Sequence, residues 1–271
     1  MLLAAMCKDA TYEIKNNSDA GTEPAEGVSM KTGTKEWADA NENCISGCSN
    51  NCRYCYGKDM AIRYKRETAE TWPIEHPRTT AKAKKHKGRT MFPTTHDLHY
   101  EHVDWWGPFL KQLLDLGNDV LIVSKPEAKS IEYICTEFEN FIQQIEFRFT
   151  IGASDDGTAR YWEPGAPSIW QRRLALSYAF RNGFRTSVSM EPLLIENPQI
   201  FIDRHLYHSV TGEIWIGCMN HYNFNPEIPE ESRQMQIQSK ENMQEVYDSL
   251  KDNPKIRWKD SVQKLLGVAQ S

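Results

Sequence analysis

Long apolar runs are missing from this 271-residue chain: none reaches the roughly 18–20 consecutive apolar residues of a membrane helix, and the mean hydropathy is -0.64. Apolar Met1–Met6 meets Lys8 and Asp9 too early for a secretory signal. A cytoplasmic protein is expected. Excess basic charge is missing as well. Against 37 acidic side chains stand 32 Lys and Arg, net -5, which argues against a broadly basic nucleic-acid binder. Neither an internal repeat nor a low-complexity tract is present. Cysteine is too scarce and too unevenly placed for a disulfide framework: of seven, four crowd into residues 44–55, while Cys7, Cys135 and Cys218 stand alone. That isolation also excludes a second cysteine cluster. A hydrophobic content of 39% suits one core, as in a single large domain or barrel.

What is present is a triplet. Gly47-Cys48-Ser49-Asn50-Asn51-Cys52-Arg53-Tyr54-Cys55-Tyr56 contains C-x3-C-x2-C. Three thiolates on one loop can hold three corners of a cubane [4Fe-4S] cluster and leave the fourth iron open. Structural zinc or a closed cluster needs a fourth protein ligand, and Cys44 is the candidate for either. No second C-x2-C accompanies it.

Along the chain, residues 1–35 read as an irregular arm, in which Asn16–Gly33 is rich in Asn, Ser, Gly, Thr and Glu. Strand and helix signals then alternate. Strands are expected near Trp37–Glu42 (a poor strand sequence) and over Thr90–Thr95, Asp119–Ser124, Ile145–Ile151, Thr186–Met190 and Glu213–Met219. Helices are expected over Trp105–Leu116, Ile131–Ile142, Ser168–Asn182, Pro198–His208, Ser239–Lys251 and Trp258–Leu266. This alternation predicts an α/β fold with a parallel sheet, and about six units fit a partial (β/α)6 TIM-like barrel. The expected organisation is an arm over 1–35, a barrel over 36–222 and a helical extension packing on it over 223–271. Reactive groups are expected at the strands' C-terminal ends.

Several segments in order resemble the radical S-adenosylmethionine (SAM) enzymes, in the branch related to spore photoproduct lyase. They are the cysteine loop, Val120–Ser124 with Lys125, Phe147–Ala153, and Glu163-Pro164-Gly165-Ala166-Pro167-Ser168 followed by Arg172-Arg173-Leu174. Together they cover roughly residues 44–192. The resemblance implies that Cys48, Cys52 and Cys55 bind a [4Fe-4S] cluster whose open iron chelates SAM. It implies cleavage of SAM to methionine and a 5'-deoxyadenosyl radical, which abstracts hydrogen from a substrate. Tyr54, Lys125, Thr150, Glu163 and Arg173 become the SAM-binding candidates, and an external one-electron donor of flavodoxin or ferredoxin type the partner. For Tyr54 the alternative is packing under the cluster; for Glu163 and Arg173 it is a structural ion pair.

One departure stands out. That branch carries a hydrogen-donating cysteine after its second strand, whereas Phe92-Pro93-Thr94-Thr95-His96-Asp97 has none, and Thr94 takes its place. Cys218, or the pair His96 and Asp97, is the candidate on the substrate side; a buried hydrophobe and a structural loop aspartate are the plainer readings. Two basic runs, Arg63-Lys65-Arg66 and Lys82-Lys84-Lys85-Lys87-Arg89, are expected to be solvated faces, with a phosphate-contacting rim as the alternative. Three functions follow: a radical SAM enzyme on a nucleic acid or nucleotide, one on a peptide or small metabolite, or a non-catalytic protein with a structural four-cysteine metal site.

Overall fold

The computed structural model describes residues 32–268. Most of the expected arm, residues 1–31, lies outside the described residues. Seven parallel strands form one sheet: β1 (Ala40–Asn41), β4 (Arg89–Met91), β5 (Asp119–Ser124), β6 (Ile145–Thr150), β7 (Arg185–Met190), β8 (Ile214–Ile216) and β9 (Ile256–Trp258). A two-residue antiparallel pair, β2 (Ile45–Ser46) and β3 (His76–Pro77), stands apart from it. Strand order in the large sheet follows chain order without reversal. Right-handed crossovers in that order put every connecting helix on one face, which is the winding of a barrel. Among the described residues no ladder joins β1 to β9, so the barrel is open.

The helices are α1 (Tyr56–Arg63), α2 (Val103–Asp115), α3 (Ala128–Glu137), α4 (Asp156–Trp162), α5 (Ile169–Arg181), α6 (Gln199–His205), α7 (Pro229–Ile237), α8 (Lys240–Leu250) and α9 (Asp260–Leu266). Three had no sequence signal, for a common reason. α1 buries only Ala61, α4 only Ala159 and Trp162, and α7 buries a stripe of Glu231, Gln234 and Ile237 that is mostly polar. β9 was also unexpected. It gives the sheet a seventh strand from within the region expected to be purely helical, and three residues are too few to show a period of two.

Alternation along the strands separates two faces. Ile145, Phe147 and Phe149 align with Val188 and Met190 and, beyond them, Ile214 and Ile216, in the main apolar core. The alternate positions are Glu146, Arg148, Ser187, Ser189, Trp215 and Arg257. Arg148 is buried there. It donates to Ser187 Oγ (3.0 Å), pairs with Glu146 (3.2 Å), and lies 5.0 Å from the Trp37 ring and 5.4 Å from that of Trp215. Trp37 thus fills the polar face. Lys259, the residue after β9, sits 4.2 Å from the same indole, donates to Gly33 O (2.9 Å) and pairs with Glu36. The segment before the first strand is therefore clasped to the residue after the last. Thr32–Lys35, assigned by sequence to the loose arm, belongs to this clasp, with Gly33–Glu36 forming a 3-10 turn.

Candidate functional site

The cysteine loop leaves β2 at Gly47, whose φ of +81° is left-handed. A Cβ there would stand 2.3 Å from Ile74 O and 2.9 Å from Trp72 O, so only glycine fits. Asn51 is also left-handed (φ 43°), a conformation asparagine tolerates, and its Oδ1 accepts from Lys58 Nζ (2.9 Å). On the other side the loop meets the turn after α4. Arg53 N donates to Trp162 O (2.9 Å), Gly165 N donates to Asn50 O (3.1 Å), and a Cβ on Gly165 would stand 2.1 Å from Ser49 O.

This clamp gathers the thiols of Cys48, Cys52 and Cys55 into one electrostatic group. Burial pushes all three up, Cys52 to about 12, and the Cys48 thiol is raised further by Asp97, Cys52 and Cys55. Cys55 also caps α1, its Sγ accepting from Lys58 N (3.4 Å). Cys44 is held elsewhere. Its Sγ lies 4.0 Å from His96 Nε2; burial pushes it to about 12, and the charge acting on it is that of Arg78. Among the described residues, no three His, Cys, Asp or Glu side chains converge on a single-ion position. A cubane does not require that, because each thiolate binds a separate corner iron. Three neighbouring thiols, two buried and one half-buried, with Cys44 held by His96 instead, fit a cluster held at three corners. Bound iron would supply the positive charge that deprotonates them.

Two networks hold the loop from below. Asp97 Oδ2 accepts from Asn50 Nδ2 (2.8 Å) and Lys125 N (3.0 Å), and Oδ1 accepts from Leu98 N (2.9 Å) and Ser124 Oγ. It ties the loop to the C-terminal end of β5. His99 faces acceptors with both ring nitrogens, Nδ1 to Glu75 Oε1 (2.8 Å) and Nε2 to Asn50 Oδ1 (3.0 Å). Burial lowers its pKa, but Glu75 and Asp97 outweigh burial and raise it to about 9, so it stands as an imidazolium. Glu75 Oε1 also accepts from Ser49 N (2.7 Å). His96 is neutral: burial lowers it to about 4, Nε2 accepts from Cys44 N (3.2 Å), and Nδ1 donates to Asp97 O (2.9 Å). The polar atoms of His96 and Asp97 are thus engaged inside the protein.

Of the residues expected at SAM, four gather beside the cysteines or end a neighbouring strand. Tyr54 OH donates to Glu163 Oε1, Lys125 Nζ lies 3.9 Å from that carboxylate and 5.6 Å from the Tyr54 ring, and Thr150 ends β6. Burial pushes the Glu163 carboxyl up, but Arg172, Lys125 and Tyr54 hold it below its ordinary range. Burial likewise lowers Lys125, yet Cys52, Glu163 and Asp97 raise its pKa overall. The guanidinium on Glu163 belongs to Arg172 (2.5 Å), which also donates to Pro167 O (2.8 Å) and Thr150 O (3.2 Å). Arg173 is not there. It lies against His205 Nδ1 (2.7 Å) and the Phe201 ring (6.0 Å), because one residue turns a helix by about 100°. The signal was available: Ile169, Arg172, Ala175, Leu176 and Ala179 form the buried stripe of α5, and Arg173 is off it.

On the remaining strand ends, Cys218 is buried after β8, its thiol pushed to about 12 by burial and Glu191. Thr94 Oγ1 accepts from Asn43 Nδ2 (2.6 Å). Of the basic runs, Arg63, Lys65 and Arg66 are exposed at the end of α1. The second run lies at the other end of the sheet. Lys85 Nζ donates to Gly117 O, and Asn118, just before β5, accepts from His86 N (2.8 Å) and donates to Lys84 O (3.0 Å). It is no rim for the cysteine loop. Within the described residues no helix is long and apolar enough to cross a membrane.

No protein-family model and no curated protein matches the chain. Solved structures similar to it include spore photoproduct lyase complexed with dinucleoside spore photoproduct, at 15% identity and a TM-score of 0.49. A variant of that lyase with bound AdoMet and dinucleoside spore photoproduct is similar at 16% and 0.46. Each alignment covers 78% of this chain and 64% of the lyase, so the chain spans less than two thirds of its neighbours' length.

Proposed function

We propose that this chain is a radical SAM enzyme. The observation that carries the reading is the grouping of Cys48, Cys52 and Cys55, with Cys44 excluded, beside the C-terminal ends of parallel strands. When bound, a [4Fe-4S] cluster supplies one electron to SAM, whose carbon–sulfur cleavage yields methionine and a 5'-deoxyadenosyl radical that takes hydrogen from substrate. The three cysteines hold three irons. Lys125 offers a half-buried ammonium to the SAM carboxylate, Glu163 a carboxylate to its amino group, Tyr54 a ring to the adenine, and Thr150 a hydroxyl. Arg172 keeps Glu163 ionised and in place.

The electron comes from an external carrier of flavodoxin or ferredoxin type, and the substrate is a nucleic acid or nucleotide. Exposed Arg63, Lys65 and Arg66 on the α1 flank, with exposed Tyr56 and Tyr64, support that substrate class. A peptide or small metabolite is the second reading, favoured by the position of the Lys82–Arg89 run at the far end of the sheet. The test is anaerobic reconstitution with iron and sulfide, reduction with dithionite, and assay of 5'-deoxyadenosine from SAM. Formation in wild type and Cys44→Ala but not in Cys52→Ala supports the proposal. No formation from a fully loaded cluster overturns it.

A further inference from the structure

Trp72 stands behind the cysteine loop. Its carbonyl accepts from Cys48 N (2.9 Å), so its backbone is fixed to the first thiol of the triplet. Its side chain is 2% exposed and lies outside the main core, in a small satellite core with Cys48 and Ala61 against which Cys55 packs. Its ring edge reaches Gly57: a Cβ there would stand 3.5 Å from Trp72 Cη2 and 3.7 Å from Cys55 Sγ. Within this setting the indole Nε1–H is buried and has no acceptor among the described residues. A buried donor left unpaired costs its full desolvation, so such an atom calls for an explanation. Trp37 and Trp258 carry similar orphan donors, but Trp37 lies against Lys259 and Arg148, and Trp258 against Tyr247. Trp72 alone of the three shares its core with two thiols of the triplet.

The geometry points to Trp72 as a hydrogen-bond donor, through Nε1–H, to a sulfur of the bound cluster. Resting on the radical SAM reading, the inference adds a residue that neither binds iron nor touches SAM. The sulfurs of Cys48 and Cys55 lie in this small core, and iron–sulfur sulfurs carry negative charge that grows on reduction. A donor aimed at one of them stabilises the reduced cluster more than the oxidised one and raises the reduction potential. Trp72 is therefore a positioning and tuning residue, setting how strong a donor the cluster needs.

The test compares wild type with Trp72→Phe, each reconstituted without oxygen and checked for iron and sulfide content. The readouts are the midpoint potential and the coupling of an exchangeable proton to the reduced cluster, from paramagnetic resonance in H2O and D2O. The expected result is equal iron loading, a more negative potential in Trp72→Phe, and loss of one exchangeable proton coupling. Replacement of Trp72 by 3-benzothienylalanine, which keeps the shape and removes only the N–H, gives the same reading if phenylalanine leaves a cavity that impairs loading. Full loading with unchanged potential and unchanged proton coupling overturns the inference while leaving the radical SAM reading intact. Failure of wild type to load any cluster overturns both.

Discussion

Glu163 is a carboxylate at 2% exposure, and its ionisation depends on Arg172, Lys125 and Tyr54. Arg172→Ala leaves that charge buried without its guanidinium, and removing one partner of a buried pair costs about 3–5 kcal/mol. Arg173→Ala, at an exposed contact with His205, should stay within about 0.5 kcal/mol. Urea unfolding of the two variants measures the contrast, and equal midpoints would refute it. Glu191 makes a pH prediction. Burial raises its carboxyl from 4.5 to about 7 despite Lys259; Glu36 and Asp260 add to the rise, and Cys218 lies near. A carboxyl that binds its proton more tightly folded than unfolded adds stability that is complete below about pH 4.5 and lost as pH rises through 7. The urea midpoint should fall over this interval, and Glu191→Gln should flatten the fall. At this scale the sequence was most legible where a short spacing brings side chains together, as in Cys48, Cys52 and Cys55. It was least legible where a partner is remote: Asn50 and Asp97, or Ser49 and Glu75, meet across gaps that no local pattern marks.

At the scale of elements, the cysteine loop depends on two seats, the 72–75 segment and the 162–165 turn. Gly165→Ala forces a Cβ to 2.1 Å from Ser49 O, and overpacking of this kind costs about 1–3 kcal/mol. Its sharper signature should be local. Iron retained after reconstitution should drop well below wild type while far-ultraviolet circular dichroism is kept; unchanged iron would show that the turn does not seat the loop. Helices and strands with an apolar stripe were readable in advance: Trp106, Phe109, Leu110, Leu113 and Leu114 on α2, and nearly continuous apolar β5. Elements whose buried face is polar or only two or three residues long, such as α7, β2 and β9, were not, because hydrophobic periodicity had nothing to register.

For the whole molecule, an open barrel leaves two edges and an exposed polar face, and here one clasp deals with both. Lys259 binds Glu36 and Gly33 O across the mouth while Trp37 fills the interior against Arg148. Lys259 is 1% exposed, so Lys259→Met should cost about 3–5 kcal/mol by stranding Glu36 and Glu191. Lys111→Met breaks an exposed pair with Asp115 and should cost at most about 1 kcal/mol. Thermal unfolding separates the two, and equal melting temperatures would remove the clasp from the account. Parallel order was predictable from alternation and the right-handed crossover rule, but the clasp was not, since it joins residues 226 apart in sequence.

The central claim is a cluster with three protein ligands and one open iron. It is tested most directly by Mössbauer and paramagnetic resonance spectra of the reconstituted protein with and without SAM, in wild type and Cys44→Ala. The account predicts four irons per chain in both proteins, one of them distinct and shifted by SAM. Irons indifferent to SAM, together with loss of the metal in Cys44→Ala, would contradict it and leave a closed structural site.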